Sequence, residues 1–317
     1  MTPALIGIDW GSSNLRAALL DAQGALIEHR ESAEGVFTVQ GGDFASVLWR
    51  LCGDWIAQHP VPLWACGMIG SRQGIVEVPY VACPAGVREL ARALGHATLA
   101  PREQPAAAAV TLAIVPGLKC GSAAAGWDVL RGEETQCLGL AAAGPLCVLP
   151  GTHSKWMLRR CDGQVDAFQT YMTGELFDLL HRQGSLARMM APAQWSPDAF
   201  EQGVQEAHDD TLENLLFRVR TAGLMARFAA DALPDYLSGL LIGAEVKAGL
   251  GRFGSSTGGE PITLVGTAPL TRRYAIAMTQ FGRTAREHPG DAVFAGLAAI
   301  ARAARAAGLP TRGVAPP

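Results

Sequence analysis

Three short loops place glycine and hydroxyl residues directly after an apolar run: Gly11-Ser12-Ser13-Asn14, Gly151-Thr152-His153-Ser154-Lys155 and Gly266-Thr267-Ala268. Glycine lets the backbone approach a ligand closely, and the N–H groups and hydroxyls beside it donate to an anion. Phosphate is the anion such loops suit. An acid, Asp9, precedes the first loop and a cation, Lys155, closes the second. Together they point to a nucleoside triphosphate and its metal. Neither G-x-x-x-x-G-K-[ST] nor G-x-G-x-x-G occurs, so the P-loop and the Rossmann fingerprint do not apply. Plainer readings stand beside these: Asp9 as a strand-end acid bonded to its own turn, Lys155 as a solvated strand lysine, His153 as a structural histidine, and Gly266 to Ala268 as a simple strand-to-helix turn.

The elements that must hold these loops are legible from hydrophobic pattern. Leu5 to Asp9 and Leu15 to Leu20 read as strands around the first loop, with a turn at Asp21-Ala22-Gln23-Gly24 and a third strand from Ala25 to Arg30. The middle of the chain repeats this: Leu146 to Leu149, the second loop, Lys155 to Arg160, a turn at Cys161-Asp162-Gly163, and Gln164 to Tyr171. In that alignment Gly11 meets Gly151, Ser12 meets Thr152 and Ser13 meets His153, with a one-residue gap in the turn. Leu149 stands in the second copy where the first has its acid, which suits one metal rather than two.

Helical spacing follows at Val87, Leu90, Ala91 and Leu94, then after Thr173 as an expected N-cap, and again after Asp210. "PITLVGTAPLTRRYAIAMTQFG" reads as strand, loop and helix. A last helix from Asp291 is stopped by Gly308 and Pro310. Interleaved strands and helices make the class α/β. The repeat puts the boundary between two halves near Ala141 to Pro145.

Of the 317 residues, 49% are hydrophobic and 17% charged, enough apolar material for a sizeable core. The net charge of -3 shows no bias towards polyanions or anionic membranes. No leader or membrane span is expected, and nucleic acid and membrane are not expected partners. The seven cysteines, at 52, 66, 83, 120, 137, 147 and 161, form no metal-type spacing and read as thiols of a reducing, cytoplasmic compartment.

The segments "GIDWGSSNLRA", "GMIGSRQG" with "PYVACPAG", "DVLRGEETQ", "LPGTHSKW", "YMTGELFDLL" and "LVGTAPL" run from Gly7 to Leu270. In this order they resemble the sugar kinase, Hsp70 and actin superfamily. Within it they are similar to the 2-dehydro-3-deoxygalactonokinases, and the combination of "RGEETQ" with "PGTHSKW" is the most specific part. The resemblance implies two actin-like (ribonuclease H-like) domains, each a five-stranded mixed sheet with helices, closing over a cleft. The domains would be 1–142, with a C-terminal helix at about 291–310 packing back on it, and 143–290.

It further implies ATP-dependent phosphorylation of a sugar acid, with Mg²⁺ oriented by Asp9. Gly11, Ser12, Ser13, Asn14, Gly151, Thr152, His153 and Lys155 would meet the phosphates, and Gly266, Thr267 and Ala268 the adenosine. An acid before a helix would serve as general base. Glu133 is chosen, with Glu134 and Asp128 as rivals; the alternative role for both glutamates is charge at a helix N-terminus. Arg72, Arg131 and Ser71 are candidates for the sugar acid, its carboxylate suiting an arginine; surface ion pairs are the alternative for each arginine. Arg16 reads as structural. The partners are the sugar acid and ATP, with a homodimer left open. The other functions considered are a kinase for another small sugar or sugar acid, and a regulator that binds nucleotide without catalysis.

Overall fold

Leu5–Trp10 forms strand β1 and Leu15–Leu20 forms β2, antiparallel, with Asp9 directly opposite Arg16. Every residue of the two strands is buried except these two. A sheet covered on both faces demands apolar side chains at each position. The one charged pair within it therefore stands out.

The protein is described here by a computed structural model covering residues 1–100, 109–140, 143–192 and 194–309. It divides into two units. The first takes the described residues of Met1–Ala142, Arg160–Ala167 and Asp291–Pro317; the second takes those of Ala143–Arg159 and Phe168–Gly290.

In the first unit β3 (Leu26–Ser32) continues the meander, and helix α1 (Phe44–Gln58) starts at Asp43, whose carboxylate accepts from the Ser46 amide at 3.2 Å. Then come β4 (Leu63–Gly67), β5 (Val81–Ala82), α2 (Val87–Arg92), β6 (Gly95–Leu99) and β7 (Val110–Ile114). β8 (Leu118–Ser122), β9 (Gly126–Leu130) and α3 (Glu133–Leu138) follow. The main sheet runs β3-β2-β1-β4-β7-β6, with β1 and β4 parallel at its centre. It has six strands rather than the five expected, because β6 adds an antiparallel edge beside β7. β5, β8 and β9 make a separate three-stranded sheet.

The second unit repeats the plan. β10 (Leu146–Leu149), β11 (Ser154–Arg159) and β12 (Val165–Tyr171) form the meander. Helices α4 (Thr173–Arg182), α5 (Gly184–Ala187), α6 (Pro197–Glu206), α7 (Leu212–Leu224) and α8 (Leu233–Phe253) follow. β13 (Ile262–Gly266), α9 (Ala268–Gln280) and β14 (Ala285–Pro289) complete a five-stranded mixed sheet, β12-β11-β10-β13-β14. Strands β12-β11-β10-β13 thus reproduce β3-β2-β1-β4, with a parallel partner on the first strand of each meander. Thr173 is the first helical residue of α4 rather than its cap, which is Met172.

The last helix, α10 (Ala292–Ala306), packs within the first unit against α3, α2 and β1. Its approach to α3 is close: a side chain on Gly139 would overlap the backbone at Ala292. Leu297 and Phe294 cover Gly7 of β1. Pro310, the expected stop, lies outside the described residues, while Gly308 takes the left-handed conformation that ends a helix. No described helix is long and apolar enough to cross a membrane.

Candidate functional site

Asp9 lies one residue from the end of β1, where its side chain is 18% exposed. Arg16 grips its Oδ2 through Nε, at 3.0 Å, and through Nη2. Oδ1 faces the Cys66 thiol at 3.9 Å. Arg16, read from the sequence as structural, is therefore the cross-strand partner of the candidate metal acid. Only strand register reveals this, because the two residues are seven apart with a loop between.

The first loop is turned inside out by its neighbours. Gly35, Val36 and Phe37 donate their amides to the carbonyls of Ser13, Gly11 and Ser12, at 3.1, 2.9 and 3.1 Å. With these carbonyls used, the amides of Ser12, Ser13 and Asn14 have no acceptor among the described residues. Ser13 and Asn14 are exposed. Unpaired N–H groups are what an anion-binding loop needs.

Gly67 and Gly132 bring a third segment to this strand end. Both have positive φ, at 89° and 108°. A side chain on Gly67 would lie 2.7 Å from the Trp10 carbonyl oxygen, and one on Gly132 would lie 3.2 Å from Gly67 Cα. Only glycine fits either position. The N-terminus of α3, with Glu133 and Glu134, is thereby set beside the ends of β1 and β4.

The two glutamates differ in environment. Glu133 is half-buried and accepts the Arg131 amide at 3.0 Å. Glu134 is wholly buried and accepts the Gly132 amide and the Thr135 hydroxyl, each at 2.7 Å. Burial pushes the Glu134 carboxyl up to about 7, against the lowering effect of the Thr135 bond. The rival Asp128 lies inside β9, opposite Cys120.

A buried acid whose folded pKa is raised binds its proton more tightly when folded, so this site loses stability as pH rises from about 4.5 to about 7. The loss amounts to about 3 kcal/mol, complete above pH 7. Glu134→Gln keeps an acceptor for Gly132 and a donor for Thr135. It is expected to flatten this part of the Tm-versus-pH curve of the ligand-free protein. An unchanged slope between pH 5 and 7 would assign the titration elsewhere.

The sugar-acid candidates separate clearly. Arg72 points outward, its side chain 80% exposed, and pairs with Glu77 at 3.0 Å. Ser71 is buried and donates to the Met68 carbonyl at 2.7 Å. Arg131 places its guanidinium carbon over the Tyr80 ring, 4.4 Å from the centroid, with Nη2 donating to the Val78 carbonyl at 2.7 Å. Its Nε and Nη1 are buried without an acceptor among the described residues. A guanidinium held on an aromatic face with two orphaned donors suits a carboxylate ligand far better than Arg72 does. Tyr80, its platform, carried no signal in the sequence beyond lying in "PYVACPAG".

In the second unit Leu149 and Lys155 occupy the register position of Asp9 and Arg16. Lacking an acid opposite, Lys155 turns its ammonium to the His153 carbonyl at 2.8 Å and is only 4% exposed. It is thus enclosed rather than solvated, with its ammonium on the loop's own backbone. His153 is half-exposed and pairs with Glu175 at 2.5 Å.

A cavity of about 510 Å³ opens at this loop, lined by Gly151, Thr152, Thr173, Gly174, Leu270 and Tyr274 among others. Gly266 ends β13, and Thr267, in extended conformation, leads into α9. Ala268 lines a second cavity of about 360 Å³ with Trp195, Pro269, Arg272 and Arg273. Arg273 lies 4.3 Å from the Trp195 ring and pairs with Asp235 at 2.5 Å.

Among the described residues no cluster of three or more His, Cys, Asp or Glu is placed to hold a metal ion. Mg²⁺ needs none, since it keeps much of its water and binds through one or two carboxylates plus substrate phosphates. Asp9 at the mouth of an amide-rich loop fits that pattern.

The family model for 2-keto-3-deoxy-galactonokinase matches residues 9–300. A probable 2-dehydro-3-deoxygalactonokinase of Rhizobium meliloti (strain 1021) is 38% identical over 306 residues, 93% of this chain and 96% of the relative. The 2-dehydro-3-deoxygalactonokinase of Escherichia coli (strain K12) is 36% identical over 307 residues, covering 96% and 99%. A crystal structure from Sinorhizobium meliloti, provisionally assigned to the same activity, superposes with a TM-score of 0.82 at 35% identity, covering 94% of this chain and 98% of that one. At the level of fold alone, the activator of 2-hydroxyisocaproyl-CoA dehydratase from Clostridium difficile matches at a TM-score of 0.54 and 10% identity, covering 97% of each chain. The expected α/β class with two actin-like sheets is the one present.

Proposed function

The chain belongs to the 2-keto-3-deoxy-galactonokinase family, and on that premise we propose that it phosphorylates 2-dehydro-3-deoxy-D-galactonate at the C6 hydroxyl, with ATP as donor. The observation that carries the acceptor's class is Arg131, over the Tyr80 ring with two buried donors unpaired among the described residues. It takes the sugar-acid carboxylate in a paired contact. Glu133, two residues on, removes the C6 proton, and the oxygen attacks the γ-phosphorus in line as ADP leaves. The amides of Ser12, Ser13 and Asn14 donate to phosphate oxygens as charge builds. In the second unit Gly151 and Thr152 offer a further loop for phosphate, at a cavity beside α9. Mg²⁺ coordinated near Asp9, when bound, supplies charge neutralisation at the β- and γ-phosphates.

The test is a panel of 3-deoxy and ordinary aldonates, with their neutral aldose counterparts, assayed with ATP. 2-Dehydro-3-deoxygalactonate is expected to give the highest kcat/KM. Arg131→Met is expected to raise the KM for the acid by about 10- to 100-fold, the worth of a charge-assisted bond, and to leave neutral acceptors nearly unaffected. The substrate assignment fails if this acid ranks among the poor acceptors.

A further inference from the structure

Glu245, on α8, is almost wholly buried and far in sequence from every loop discussed above. Trp156 Nε1 donates to its Oε1 at 2.8 Å and the Tyr274 hydroxyl to its Oε2 at 2.7 Å. Thr173 and Ser154 are near enough to favour its charged form. Ser154 Oγ lies 2.9 Å from the Tyr274 oxygen and accepts a long bond, 3.4 Å, from the Gly151 amide. One carboxylate thus gathers groups from β11, α4 and α9. Burial raises its carboxyl above the usual range, and Thr173, Trp156 and Tyr274 oppose that rise.

Geometry gives this network a direction. The Trp156 indole N–H only donates, and the Tyr274 hydroxyl is placed to donate to Oε2. Tyr274 therefore donates towards Glu245, and Ser154 can donate to the Tyr274 oxygen. That turns a Ser154 lone pair to the Gly151 amide. On the loop's other side, Thr173 opens α4, the Glu175 amide donates to the Thr152 carbonyl at 3.0 Å, and a side chain on Gly174 would overlap the Gly151 carbonyl. The Gly151–Thr152 turn, which lines the 510 Å³ cavity, is held on one side by the chain Ser154–Tyr274–Glu245 and on the other by the start of α4.

We propose that Glu245 is a positioning residue for nucleotide binding, holding the Gly151–Thr152 turn in the shape that receives phosphate through Ser154, Tyr274 and Thr173. It touches neither substrate. The inference rests on the ATP reading above.

Two variants test it. Glu245→Gln keeps the shape but must place an NH₂ group against Trp156 or Tyr274. Facing Tyr274, it turns that hydroxyl towards Ser154, which must then reorient to accept from both Tyr274 and the Gly151 amide. Ser154→Ala cuts only the last link and leaves Glu245 with Trp156 and Tyr274. Each is expected to raise the KM for ATP about tenfold, with the acceptor KM unchanged and kcat lowered by less than about threefold. Should Glu245→Gln fail to fold, Ser154→Ala decides. Both KM values unchanged, or both shifted together, would overturn the proposal. Wild-type protein without ATP-dependent turnover would instead defeat the functional reading itself.

Discussion

Asp9→Asn is expected to lower kcat by about three orders of magnitude or more while the protein stays folded. The loss follows from charge. Where phosphoryl groups and a metal meet, one preorganised carboxylate is worth several kcal/mol in the transition state, and about 4 kcal/mol corresponds to a thousandfold. Survival of the fold follows from exposure. Asp9 and Arg16 are 18% and 32% exposed at the side chain, so their ion pair is part-solvated and contributes modestly to stability. Asparagine is the same size and its carbonyl can still accept from Arg16. A Mg²⁺ titration of kcat beside a thermal melt reads both quantities. Activity near wild type at any Mg²⁺ concentration would remove Asp9 from the metal site. A large drop in Tm would move its role to structure.

The same residue marks the limit of what the sequence reveals. Strands β1, β2, β10 and β11 are legible because sheets buried on both faces write themselves as predominantly apolar runs, and the loops stand out against them. What lies opposite Asp9 is not legible, since register depends on how the turn is closed. Arg16 therefore looks like any strand cation, and Lys155 looks like an open one. The paired register explains both: with an acid across the ladder the cation binds it, and with Leu149 there it turns to a backbone carbonyl. Thr173 has the composition of an N-cap, but α4 begins on it and Met172 takes the cap position. Glu245 itself sits in a helix apolar nearly all round, where amphipathic periodicity fades and a lone acid gives no sign of its partners. Tyr80 and Arg131 meet only through the fold, although the argument for a carboxylate-binding arginine was already available from "RGEETQ".

Glu133→Gln is expected to reduce kcat by about 10² to 10⁴, the usual worth of a general base, with the KM for ATP unchanged. Glu134→Gln should cost activity far less. Both acids open α3, and both accept a backbone amide within the same turn, so composition does not separate them. Accessibility does. A base must reach the acceptor hydroxyl, and Glu134 is wholly enclosed, with one oxygen on the Gly132 amide and the other on the Thr135 hydroxyl. Its raised pKa is that of a base tuned for neutral pH, but burial produces that shift, and the same burial keeps substrate away. Glu133 is half-exposed and follows Arg131 by two residues, so a sugar acid anchored at one end by the guanidinium can present a hydroxyl to the carboxylate. Single-turnover rates for the two variants, with ATP binding measured separately, decide between them. Collapse in Glu134→Gln with a nearly active Glu133→Gln would reassign the base to the buried acid and require α3 to open during turnover.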